Sequence, residues 1–207
     1  MHKDIVVPNN NEAEFVEIAL KLGIAKLSFL YNFDKHGDEK KIQDKLSHVQ
    51  NSGISTEIGF VVNHKNLDKA AWQSRLLAAK SSGDDRIFME NKKIRLVYGL
   101  EESNKRDYLH QRASGLNHTL CELAKKNNIA VGFSYGSLLS KSNAETSLLI
   151  GRMMQNISLC KKYKVKTIIG SFSEEPLNLR APHDIAALFT TFGMDAKAIK
   201  NSMGFDF

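Results

Sequence analysis

Seven histidines, at positions 2, 36, 48, 64, 110, 118 and 183, are the side chains from which this chain could build a metal centre or a general base. A metal hydrolase needs its ligands at short, regular spacings, because neighbours on one strand or helical turn must converge on one ion. No H-x-H, H-E-x-x-H or C-x-x-C occurs. Asp4 is a lone carboxylate in an early apolar run and has no obvious companion. Neither G-x-G-x-x-G nor G-x-x-x-x-G-K-[ST] is present. "SSGDDR", Ser81 to Arg86, could form an anion-binding turn at a helix start, but Asp84 and Asp85 would repel a phosphate that Arg86 attracts. An ordinary turn with an Asp cap is the favoured reading. The residues of a nucleophile triad meet in space rather than in sequence, and nothing here marks one.

The cations are more informative than the acids and bases. The 207 residues carry a formal charge of +6, unevenly spread: −2 over residues 1–60, +5 over 61–126 and +3 over 127–207. A polyanionic partner can use such asymmetry. "RMMQNISLCKKYKVK" holds Arg152, Lys161, Lys162, Lys164 and Lys166 without an acid. A helix C-terminus also favours cations, so its dipole accounts for part of this cluster. A second group is Lys105, Arg106 and Arg112; a third is Lys80, Arg86, Lys92, Lys93 and Arg95. Tyr108, Tyr135 and Phe172 fall near strand ends or loops, where aromatic rings can stack on unpaired bases.

These residues must be positioned by an alternation of apolar runs and helical patterns. Strands are expected at Asp4–Pro8, from Lys26, from Ser55, from Ser74, from Lys93, from Ile129 and over "VKTIIGSFS". Helices are expected between them. "NEAEFVEIALKLG" places Phe15, Ile18, Ala19 and Leu22 on one face. A charged helix is expected from Asp38 to about Gln50, and short ones near Leu67 and over "DDRIFMEN", the latter capped by Asp84 or Ser82. "ASGLNHTLCELAKKNN" puts Ala113, Leu116, Leu120 and Leu123 on one face. A long helix from Ser142 to Tyr163 turns Leu149, Met153, Ile157 and Cys160 inward, and two more run from about His183 to Phe192 and Asp195 to Met203. Several strands are apolar throughout, as buried parallel strands are. About seven βα units imply a parallel sheet with helical crossovers, either open or closed into a barrel. No linker, repeat or low-complexity tract appears, so residues 1–207 read as a single α/β domain. No apolar run has membrane-spanning length, and Met1–Asn10 lacks the pattern of a signal peptide. Cys121 and Cys160 are accordingly expected to be reduced core residues in a cytoplasmic protein.

Two segments carry a family resemblance: "HQRASGLNHTLCELAKKNNIAVGFSYGSLL" and "RMMQNISLCKKYKVKTIIGSFSEEPLNLRAPHDIAALFTTFGM". Together they resemble protein component 3 of archaeal ribonuclease P, the family of the thirty-kilodalton-type subunit. "GLNH-x-L", "LAKKNNIA", "N-x-x-LCKKYKV" and the Arg, Pro and Asp before "DIAALFTTFGM" occur in the family's order. The match is good over roughly residues 75–200; before that it rests on the order of elements. The resemblance implies a TIM-like α/β barrel of about seven parallel strands, distantly similar to polymerase-and-histidinol-phosphatase domains. Those relatives are metal hydrolases with H-x-H on the first strand, where this chain has "MHKDIV" with one histidine. The implied function is therefore that of a non-catalytic subunit. It binds and folds the catalytic RNA, which removes the 5′ leader from precursor tRNA with its own Mg2+; this chain holds no cofactor. The implied partners are that RNA, a small ferredoxin-like protein subunit in a heterodimer or heterotetramer, and precursor tRNA indirectly, with no membrane.

Carried onto matching positions, the resemblance implies RNA contacts at Lys80, Arg86, Arg112, His118 and Arg180. Arginine suits such a role because its charge is permanent and its fork pairs bidentately with phosphate. Pro176 and Pro182 restrict the loop around Arg180. An internal pairing of Arg180 with Glu174, Glu175 or Asp184 is the opposing expectation. Two other readings stay open. One is a metal-dependent phosphoesterase of the polymerase-and-histidinol-phosphatase type with Asp4, His64 and His118 as ligands. The other is a barrel acting only as a protein scaffold.

Overall fold

Backbone hydrogen bonding in the computed structural model runs without interruption from one parallel strand to the next. The structure describes residues 2–36, 42, 46 and 53–205. Seven strands occur in chain order: β1 Lys3–Val6, β2 Lys26–Asn32, β3 Ser55–Val61, β4 Leu76–Lys80, β5 Leu96–Tyr98, β6 Ala130–Ser134 and β7 Thr167–Gly170. Each pairs in parallel with the next. The main helices are α1 Glu12–Lys21, α2 Leu67–Ala71, α3 Asp85–Glu90, α4 His118–Asn127, α5 Asn143–Tyr163, α6 Pro182–Thr191 and α7 Ala196–Met203. The charged helix expected over 38–50 lies almost wholly outside the described residues, although Ile42 and Leu46 are buried.

The open alternative fails at the seam between β1 and β7. The Phe172 amide donates to the Ile5 carbonyl (2.7 Å) and the Val7 amide to the Ser173 carbonyl (2.9 Å). One step lower, the carboxylate of Asp4 replaces a strand carbonyl. Its Oδ1 accepts from the Ser171 amide (2.6 Å), and its other oxygen accepts from the Tyr135 hydroxyl. The sheet is thus a nearly closed barrel of seven parallel strands with helices outside.

Alternation along the strands sorts the core into two layers. Ile5, Leu30, Leu76, Leu96, Tyr98 and Ile168 point inward and pack with Phe205. Val6, Phe29, Phe60, Leu77, Val97, Val131, Phe133 and Ile169 point outward and pack against the helices. On α1, Phe15 and Ala19 are buried, and on α5 so are Leu149, Met153, Ile157 and Cys160, in agreement with the helical periodicity. Each such large side chain contributes about 1.5–3 kcal/mol by leaving water. Cys121 and Cys160 are buried and free.

Two helix starts differ from expectation. Ala113 and Leu116 are buried but belong to an irregular loop; α4 begins at His118, capped by Asn117 Oδ1 accepting from the Leu120 amide (3.0 Å). A cap satisfies an amide that the first turn otherwise leaves unpaired, so the Asn sets the start more strongly than the apolar spacing does. Asp84 precedes α3 without a side-chain capping bond. Asp85 instead turns inward and accepts from the Ser81 hydroxyl (2.8 Å), filling the proposed anion turn with the chain's own carboxylate. The α5 start at Ser142 is as expected and forms a reciprocal capping box with Glu145.

Candidate nucleic-acid interface

Loops that follow parallel strands gather at one end of a barrel, the end where such folds bind ligands. In this protein an aromatic pair fills that mouth. The rings of Tyr98 and Phe172 stack with centroids 4.5 Å apart and planes 13° from parallel. Phe172 adopts φ +47°, a left-handed backbone that bulky residues rarely take. Such a conformation costs about 1–3 kcal/mol and persists only where its surroundings enforce it. The amide bond to Ile5 and the close fit of the ring do so. A Cβ at position 132 would lie 2.8 Å from Tyr98 Cβ and 3.0 Å from the Phe172 ring, so only glycine fits there. Lys80 stands at the rim with Tyr98, Phe172 and Glu174, lining two depressions of about 280 and 340 Å³.

The ligands of the hydrolase reading do not share a site. Asp4 bolts the seam, and burial pushes its carboxyl up to about 6 despite the bonds from Tyr135 and Ser171. His64 stacks on Phe88, with centroids 4.2 Å apart. His118 is exposed beside Thr119. Among the described residues no three His, Cys, Asp or Glu side chains stand close enough to hold one metal ion. Tyr135 is also corrected: it is buried in the seam, where a base cannot reach it.

The loop from Ser103 to Asn117 is built from inside. Arg152 of α5 is 1% exposed. Its Nε donates to Asp107 Oδ1 (2.8 Å), and its Nη1 donates to the carbonyls of Glu101 (2.8 Å) and Asn104 (2.6 Å). The same Asp107 oxygen accepts from the Ala113 amide (2.8 Å). Asn156 donates to the Ser114 carbonyl (2.9 Å). Burial works against ionisation of Asp107, but the Ala113 amide and the Arg152 guanidinium outweigh it and hold the carboxyl below its usual range. The resulting loop presents Tyr108, 67% exposed, and Leu109, 91% exposed, between Lys105, Arg106 and Arg112.

Gly115 closes this loop at φ +77°; a Cβ there would meet the Leu100 carbonyl oxygen at 2.2 Å. Gly115→Ala combines backbone strain with a backbone clash and is expected to cost about 2–4 kcal/mol in urea unfolding. An unchanged midpoint would show that the loop yields freely.

The side chains expected to contact RNA lie at the end of β4 or in the segments after β4, β5 and β7, but their surroundings differ. Lys80 is exposed at the mouth. Arg86 pairs with Glu90 one turn on (2.7 Å), both well exposed, a contact worth little in water. Arg112 donates to the Gly151 carbonyl (3.0 Å) and packs along α5 while remaining exposed. Arg180 pairs with none of Glu174, Glu175 and Asp184. Its Nη1 donates to the carbonyls of Leu177 (2.7 Å) and Leu179 (2.8 Å), which leaves its charge uncompensated. Arg152, counted in the sequence with a basic surface cluster, is instead the buried clamp. Only its i−3 and i+4 neighbours Leu149 and Asn156 on the inward face could have betrayed this.

A family profile described as RNase P subunit p30 matches residues 106–205. Through these residues, a little under half of the chain, it is similar to the RNase P subunit p30 family. Ribonuclease P protein component 3 of Methanococcus maripaludis is 25% identical over 161 residues, 74% of this chain and 67% of that protein. The same component of Thermococcus kodakarensis is 32% identical over 91 residues, 44% of this chain and 41% of that protein. A chain in the cryo-EM structure of an archaeal ribonuclease P with mature tRNA superposes with a TM-score of 0.79 at 17% identity, covering 96% of this chain and 85% of that one. That likeness in fold takes in the N-terminal strands, which lie outside the profile match. Within the p30 match fall Arg112, His118, Arg152 and Arg180; Lys80 and Arg86 precede it.

Proposed function

We propose that this chain is a protein subunit of ribonuclease P. On this reading it binds the catalytic RNA through loops at the strand C-termini and leaves cleavage of the 5′ leader of precursor tRNA to that RNA and its Mg2+. The observation that carries it is the p30 family match, which takes in the Arg152-braced loop and the Arg180 loop. Braced loops suit a polyanion, because cations held in place lose less entropy on docking. Arg112, Arg180, Lys80 and His118 supply contacts to the RNA, and Arg86 contributes after leaving Glu90. The small ferredoxin-like subunit is the protein partner in this reading, and the cytoplasm is the place of work. No helix among the described residues is long and apolar enough to cross a membrane.

Reconstitution tests it. Leaving this chain out of an assembly of archaeal ribonuclease P RNA and its other protein subunits should depress precursor-tRNA cleavage at limiting Mg2+. Arg112→Ala with Arg180→Ala should reproduce much of that loss while the domain stays folded. The chain alone with precursor tRNA and Mg2+ should release no leader. RNA-free cleavage that co-purifies with the chain would overturn the proposal, as would full activity of the assembly without it.

A further inference from the structure

The other end of the barrel carries a recess that the loops at the mouth do not touch. It has a volume of about 470 Å³, within the range of ligand sites, and lies where β5, β6 and β7 begin, under α7. Arg95, Asn128, Lys166, Thr167, Asn201 and Ser202 line it. The Ala130 amide donates to the Arg95 carbonyl and the Val131 amide to the Lys166 carbonyl, each at 2.9 Å. Arg95 and Lys166 therefore flank the start of β6 on either side. Two strand spacings put their backbones about 10 Å apart, a gap that both long side chains can close onto one anion. Both are exposed, and among the described residues neither forms an ion pair.

Helix dipoles do not account for this pair. Lys125 and Lys126 occupy the last turn of α4, and Lys161 and Lys162 that of α5, where the partial negative charge favours them. Arg95 and Lys166 belong to strand starts and lack that compensation. Lys164, between α5 and β7, holds φ +57°, a left-handed cap that glycine adopts at lower cost. Around the recess, the Asn128 and Asn201 amides add donors suited to phosphate oxygens, and the Thr167 and Ser202 hydroxyls, bonded to each other (2.6 Å), leave one further proton to donate.

We propose that this recess binds a phosphate group, either a phosphodiester of an RNA strand or the phosphate of a small phosphorylated molecule, with Arg95 and Lys166 as its charged donors. The site goes beyond the subunit reading: it stands at the opposite end from the loops used there and does not depend on them. In an RNA complex it would give the barrel a second contact, so that RNA engages both ends.

The test uses the full chain and its Arg95→Ala/Lys166→Ala variant. Exposed side chains at strand starts can be truncated without emptying the core, and an unchanged circular dichroism spectrum and melting temperature check this. Inorganic phosphate titrated into the wild type should shift the Arg95 side-chain Nε–H resonance, and the variant should lose every phosphate response at this end of the barrel. Binding of archaeal ribonuclease P RNA, measured at several salt concentrations, should weaken about tenfold or more, with the salt slope reduced by about two. If the phosphate response disappears but RNA binding is unchanged, the ligand is the small phosphorylated molecule. If the wild type binds no RNA yet still responds to phosphate, the subunit reading fails and this site stands. No phosphate response together with unaltered RNA binding overturns it.

Discussion

Arg152→Leu is expected to lose about 3–5 kcal/mol of unfolding free energy, the cost of removing one partner from a buried charged network. The physical basis is the number of groups left behind. Asp107 loses its guanidinium, and the carbonyls of Glu101 and Asn104 lose their donors inside the protein. Leucine fills much of the space but satisfies none of them, and a buried acceptor without a donor costs about 1–3 kcal/mol. Arg152→Lys keeps the charge without the planar fork and should recover only part of the loss. The same variants should expose the Ser103–Asn117 loop to proteolysis before the barrel unfolds, because the loop hangs on this side chain while the strands do not. A urea midpoint within 0.5 kcal/mol of wild type, as for an ordinary surface substitution, would mean that Arg152 is not the clamp.

The second large effect is pH dependence from Glu101. Its side chain is fully buried, and among the described residues no donor meets either carboxyl oxygen with hydrogen-bond geometry. Burial pushes the carboxyl from 4.5 up to about 8; its own amide offsets little of this, and Glu102 adds to it. The folded form thus keeps a proton that the unfolded chain gives up above pH 4.5. Stability from this group is complete below that pH, falls by about 1.4 kcal/mol per unit as the pH rises, and levels off above about pH 8. The whole fall is of the order of 5 kcal/mol. Glu101→Gln carries no ionisable proton, so its curve should lack this slope, even if a buried amide shifts it by a constant amount. Asp4, raised to about 6 by burial, adds a smaller fall in the same direction, which the comparison of the two proteins cancels. Parallel stability curves for wild type and Glu101→Gln between pH 5 and 8 would refute a neutral Glu101.

Both effects come from residues that the sequence does not set apart. Glu101 stands beside Glu102 in a polar stretch, and Arg152 opens a run of cations, so each reads as solvated. What distinguishes them is depth, and depth depends on which loop covers which helix. The seam shows the same limit. Asp4 has the look of a stray metal ligand on a strand, yet its partners are Ser171 and Tyr135, far along the chain.

The order of strands and helices, the apolar faces of α1 and α5, the Ser142 start of α5 and the resemblance to ribonuclease P component 3 were all determined by the sequence alone. Periodicity, capping and motif order are local properties, written within a few turns of chain. The hydrogen bonds that close the barrel, the aromatic plug at its mouth, the burial of Arg152 and the placing of Arg95 and Lys166 on either side of β6 were decided only by the tertiary structure. Each depends on contacts between residues tens of positions or more apart, and on whether a charged group ends in water or among apolar neighbours. No local pattern encodes that difference, because the same arginine or carboxylate is compatible with either environment until the fold encloses it.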